Sequence, residues 1–136
     1  MVATMMAWYE PGQTEPLPLG SPAEVDGLVD RMLVEASESD VGLLAQVERQ
    51  DDDGWAVLQV GVRSSVRGFV GYMGPDGSVL SAGGATSPEP VAYDYMNHER
   101  EVSSAAEISL AVVRLALQDF VASGGARPGG VTWQEA

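Results

Sequence analysis

"LLAQVERQDDDGWAVLQVGVR", residues 43–63, decides the fold. Two apolar runs, Leu43 to Arg49 and Trp55 to Arg63, flank "QDDDG". Asp-Gly between such runs is a hairpin signal, because Gly takes the positive φ of the turn at little cost. In the second run Ala56, Leu58, Val60 and Val62 share one side of the pleat, which should face the core. Downstream, Phe69 to Met73 and Ser78 to Ala82 flank "GPDG", where Pro sets φ and Asp and Gly tolerate the rest of a turn. The middle of the chain therefore reads as an antiparallel meander.

On the N-terminal side, Thr4 to Tyr9 is a short β-like run stopped by "EPGQTEPLPLG", whose three prolines and two glycines predict a loop. "SPAEVDGLVDRMLVEAS" then carries a helix start, with Ser21 as N-cap, Pro22 at the first helical position and Glu24 at the capping-box position. Val25, Leu28, Val29, Met32, Leu33 and Ala36 form one apolar stripe, leaving Glu24, Asp30, Arg31 and Glu35 to water.

On the C-terminal side, "GGATSPEP" predicts a loop and Val91 to Met96 a strand, with Tyr93 and Tyr95 opposite Ala92, Asp94 and Met96. Ser104 and Glu107 repeat the capping-box spacing and predict a second, more deeply buried helix from Ala105 to about Ser123. Gly124 and Gly125 can end it in a left-handed cap. A short strand, Val131 to Trp133, closes the chain. Trp8, Trp55 and Trp133 read as core or core-edge residues. The order predicts one α+β domain over residues 1–136: an antiparallel sheet of about five to seven short strands packed with two amphipathic helices.

Charge is the outlying feature. Twenty acids against seven bases, all of them Arg, give a net charge of −13. Such a chain repels nucleic acid phosphates and anionic membranes and is steered toward a basic partner. With 45% hydrophobic and 20% charged residues, the acidity does not come from a disordered composition. There is no Cys, hence no disulfide framework, thiolate nucleophile or Cys-ligated zinc. "MVATMMAWYEPG" lacks a basic leader and a long apolar run, and no stretch is long enough to span a bilayer, so cytoplasmic residence is the expectation.

The chemistries that the sequence could carry are few. The one histidine, His98, is followed by Glu99, but H-E-x-x-H zinc ligation needs a second His one helical turn away. A calcium loop around Asp52, Asp53 and Gly54 would have Arg49 in place of its first ligand. A Walker loop needs a Lys that the chain lacks, and Gly68, Gly71 and Gly74 read as strand bends or close contacts rather than an anion cradle. His98 with Ser103 or Ser104 could supply the atoms of a nucleophile and its base, but Ser104 is accounted for as a cap. No catalytic residue, metal or cofactor is assigned. The enzymatic alternative is a small acidic hydrolase or ligand-binding domain using Asp94, His98 and Glu99.

The helix "SPAEVDGLVDRMLVEA", the hairpin with its acidic Asp-Gly tip, "VAYDYMNHEREVSSAAEISLAVVRLALQDFVASGG" and the closing "RPGGVTWQE" together resemble the Imm1 family of bacterial immunity proteins. The resemblance rests most on the paired tyrosines, the Glu-Val before the second helix and the Trp-containing ending. It departs at Ser103, where many members have Pro, and at Met96-Asn97, where they have Gly. The resemblance implies function by binding: a non-enzymatic antitoxin that occupies a polymorphic toxin, often a nucleic-acid (cytidine) deaminase, and covers its basic substrate-binding surface. A non-immunity adaptor binding another basic protein is the weaker alternative. The candidate partner-binding residues are Tyr93 and Tyr95 as aromatic anchors, with Asp94, Asn97, His98, Glu99 and Glu101 around them. Asp51, Asp52 and Asp53 at the hairpin tip form a second acidic patch.

Overall fold

A computed structural model of the chain describes residues 5–10, 12–51, 54–75, 77–83 and 89–135. Its order is β1 (Met5–Trp8), β2 (Leu17–Leu19), α1 (Pro22–Ser39), β3 (Gly42–Asp51), β4 (Gly54–Val62), β5 (Gly68–Gly74), β6 (Gly77–Ser81), β7 (Pro90–Tyr95), β8 (His98–Ser103), a 3-10 turn (Ser104–Ala106), α2 (Leu110–Ala122) and β9 (Trp133–Glu135). The fold is α+β, with two helices and a large open sheet of nine strands, somewhat more than the sequence predicts.

The predicted hairpin is the centre of the sheet. β3 and β4 pair antiparallel from Leu43↔Val62 to Asp51↔Gly54, and Gly54 sits at φ 141°, which L side chains rarely adopt. Strands run in the order β2, β1, β3, β4, β5, β6, β9. β7 joins the same edge of the meander as β1, pairing parallel with the start of β3 through Gly42↔Tyr93 and Leu43↔Asp94. Among the described residues all other strand pairings are antiparallel.

Both helices pack on one face. Ala45, Val47, Ala56, Leu58, Val60, Val62 and Val70 of the sheet meet Val25, Val29 and Met32 of α1 and Val113, Leu117 and Phe120 of α2 in the main core. The start of α1 is as expected: Ser21 Oγ accepts from the Glu24 amide at 3.2 Å, and the Glu24 carboxylate accepts from the Gly20 amide at 2.9 Å. α2 ends at glycines with positive φ, where the Gly125 amide reaches the Phe120 carbonyl at 2.9 Å.

The structure differs from the sequence reading at four elements. α2 begins at Leu110 with Ser109 as its cap, not at Ala105. Glu107 is drawn away from any capping role by Arg63, and Ile108 is held extended by two backbone hydrogen bonds to Gly68. What reads as an exit loop after Met96 is strand β8, so residues 90–103 form a second hairpin. "LPL" is strand β2, paired on β1 despite its proline, as an edge strand permits. The closing strand lies two residues later than expected, pairing Trp133 with Ser81. Within α2, which the sequence predicts to be deeply buried, Leu115 is exposed.

Candidate functional site

The β7–β8 hairpin carries most of the predicted site, and its register sorts those residues onto two sides. Pairs Val91↔Val102, Tyr93↔Arg100 and Tyr95↔His98 share one face, while Ala92↔Glu101 and Asp94↔Glu99 share the other. The structure therefore gathers Asp94, Glu99 and Glu101 on the outer side and directs both tyrosines toward the sheet. Met96 and Asn97 make the turn with φ of 50° and 70°, and the Asn97 amide donates to the Asp94 carboxylate at 3.4 Å. Asn97, His98, Glu99 and Glu101 are exposed, and Asp94 is half-buried.

Tyr93 is not available as an anchor in the free protein. It is 0% exposed, packed edge-to-face on Phe69 at 4.9 Å between ring centres, with Leu44 and Ala106 beside it. It fits because Gly42 and Gly61 have no side chain under its ring; a Cβ on Gly42 would lie 2.7 Å from the ring. Its hydroxyl donates to Glu107 Oε2 at 2.9 Å. Burial, followed by the Glu107 charge, raises its pKa well above the usual tyrosine range.

Tyr95 is half-buried, with the Arg100 guanidinium 6.0 Å from its ring centre. Its pKa is raised by burial and then by the nearby Glu48 carboxylate, against the pull of Arg100. Tyr95 therefore lies on the side of the sheet that the helices leave uncovered, close enough to Glu48 to feel its charge. At the other hairpin, Asp51 ends β3 through its backbone pairing with Gly54, whereas Asp52 and Asp53 lie outside the described residues.

Apart from Tyr95, the residue set predicted from sequence omits that open sheet face. Cross-strand pairs Met6↔Glu48, Glu48↔Val57 and Val57↔Met73 form one row across it, and Trp8↔Gln46 and Gln46↔Gln59 the next. Trp8 Nε1 donates to Glu48 Oε1 at 2.9 Å. Trp55, read from sequence as core or core-edge, is 47% exposed, and Met6 is 40% exposed. The signal was present: if Ala56, Leu58 and Val60 face the core, Trp55 and Val57 must face away. At the end of this face β8 stands off the sheet and leaves a cleft of about 300 Å³ between Leu44, Phe69 and Leu80 on one side and Arg100 and Val102 on the other.

A family profile described as Immunity protein Imm1 matches residues 13–135. The chain belongs to the Imm1 family. No curated protein matches it. Membership in Imm1 makes this an immunity protein by family, and the family implies a non-enzymatic role and a cognate toxin as partner. The hydrolase alternative has Asp94, His98 and Glu99 on the solvent side or edge of a hairpin, with His98 and Glu99 exposed rather than enclosed in a water-excluding site. Among the described residues no cluster of three metal-ligating side chains occurs, and no helix is long and apolar enough to cross a membrane.

Proposed function

We propose that this Imm1 protein protects the cytoplasm of its producing cell by binding a basic, nucleic-acid-modifying toxin domain, a deaminase, and covering the surface that would hold the substrate's phosphates. The observation that carries this reading is the row of carboxylates on the outer side of the β7–β8 hairpin. Asp94 faces Glu99 directly across the ladder, with Glu101 one pair away on the same side. Like charges directly opposite each other destabilise a free hairpin. A cationic partner relieves that repulsion. The net charge of −13 supports the same conclusion at long range, since a toxin acting on DNA or RNA needs a positive surface and an acidic protein competes for it. Electrostatic attraction lifts association above the roughly 10⁵ to 10⁶ M⁻¹s⁻¹ of a neutral pair.

The test is co-expression of the full chain with the toxin domain encoded beside it. A 1:1 complex, loss of deamination of a nucleic acid substrate and an association rate that drops steeply with added salt are expected. Absence of a complex, or turnover of a small substrate by the isolated protein, overturns the proposal.

A further inference from the structure

The acidic hairpin accounts for attraction but not for a tight, desolvated contact, which needs aromatic and apolar surface at its centre. The open sheet face supplies such a surface. Glu48 lies in a row between Met6 and Val57, with Trp8 hydrogen-bonded to it and Trp55 next along β4 on the same face. Met6 and Trp55 are both exposed on this face, on either side of Glu48, and tryptophan faces together with a carboxylate are the chemistry that recognises a guanidinium. The charges elsewhere agree with this assignment. Arg31 is engaged by Glu10, Arg63 by Glu107, and Arg114 by Asp26 and Asp30, so these three cations are neutralised away from this face, while Arg100 stands beside Tyr95 at its hairpin end.

Resting on the immunity reading above, we infer that the open face of the sheet is the centre of the toxin interface. It would receive an arginine-bearing segment of the basic partner, with Trp55 and Trp8 as the aromatic contacts and Glu48 as the carboxylate that takes the cation. The acidic outer side of β7–β8 then forms part of the charged rim. The cleft between β8 and the sheet continues this surface and accepts an apolar side chain next to the arginine.

The experiment measures binding of the adjacent gene's toxin domain to the full chain and to single variants whose unfolding is checked in parallel. Trp55→Ala and Glu48→Arg are each expected to weaken binding at least about 30-fold. Trp55→Phe should retain most of the affinity, since an aromatic face remains. Leu115→Glu and Val34→Glu alter the exposed apolar positions of the helix layer, at 60% and 57% exposure, and should leave binding unchanged. If the wild type binds and protects, but the helix variants lose affinity while Trp55→Ala and Glu48→Arg keep it, the sheet-face assignment is overturned and the immunity reading stands. If the wild type itself neither binds nor protects, the immunity reading is what fails.

Discussion

Arg63 and Glu107, 44 residues apart, meet in a two-point ion pair, with Nε and Nη2 of the guanidinium 2.5 and 2.8 Å from the two carboxylate oxygens. Glu107 is only 5% exposed, and the same Oε2 also accepts from the Tyr93 hydroxyl. The carboxylate thus joins the end of β4, the β7–β8 hairpin and the segment entering α2. Removing one member of a buried, hydrogen-bonded pair leaves the other uncompensated. Arg63 is 38% exposed, so water reaches the pair and keeps the loss below that of a fully buried one. Arg63→Ala is expected to destabilise the fold by about 2 kcal/mol, read as a lower urea midpoint at unchanged slope.

That ion pair also marks the boundary of what local sequence can say. The start of α1 was legible because Ser21, Pro22 and Glu24 act within one turn of each other. Ser104 and Glu107 have the same spacing, yet Glu107 finds its partner in Arg63, just past β4, a contact that no local pattern encodes. The β7–β8 turn was missed for a related reason: its positive φ positions hold Met96 and Asn97 rather than the Asn-Gly that signals such a turn. The sheet-face tryptophan was legible from strand alternation alone. Reading it as core or core-edge lets residue type override the period of two.

The turn itself yields a test. A non-glycine residue in the left-handed region without a locally bonding side chain costs about 1 kcal/mol. Met96 is such a residue, at φ 50°. Met96→Gly relieves this and should raise stability by about 0.5 kcal/mol, since the greater freedom of Gly when unfolded offsets part of the gain. A thermal melt that moves down instead would show Met96 to be held by contacts outweighing its backbone conformation.

Gly61 tests the seating of Tyr93. A Cβ there would collide with the edge of the Phe69 ring and come within 2.9 Å of Tyr93, whereas a Cβ on Gly27, within α1, meets nothing. Gly61→Ala is expected to cost about 1 to 3 kcal/mol through overpacking. Gly27→Ala should stabilise by up to about 1 kcal/mol, because Ala is the better helix former. Paired denaturation curves read the opposite signs.

Alkaline stability should depend on the buried tyrosines. The Tyr93 hydroxyl is raised well above its usual value near 10, and Tyr9 is raised to about 12, in both cases chiefly by burial and then by a neighbouring carboxylate. In the unfolded chain both ionise near pH 10. The folded state thus keeps protons that the unfolded state loses. This contribution is fully present below about pH 10 and is lost as pH rises toward the folded values. Urea midpoints should fall above about pH 10, with tyrosinate absorbance lagging until unfolding, and Tyr93→Phe should flatten the slope.

Asp94 separates stability from binding most sharply. Its carboxylate stands opposite Glu99 in the hairpin ladder and accepts the Asn97 amide at the turn. Asp94→Asn keeps an acceptor for that amide while removing one of two like charges directly across from each other. The free protein should therefore gain about 0.2 to 0.5 kcal/mol, most visibly at low salt. Loss of a rim carboxylate should at the same time slow capture of a basic toxin domain several-fold and reduce the salt dependence of the rate, with little change in dissociation. A higher melting temperature together with a slower association rate identifies the hairpin acids as retained for their partner. Equal or faster capture by Asp94→Asn would show that these carboxylates play no part in steering.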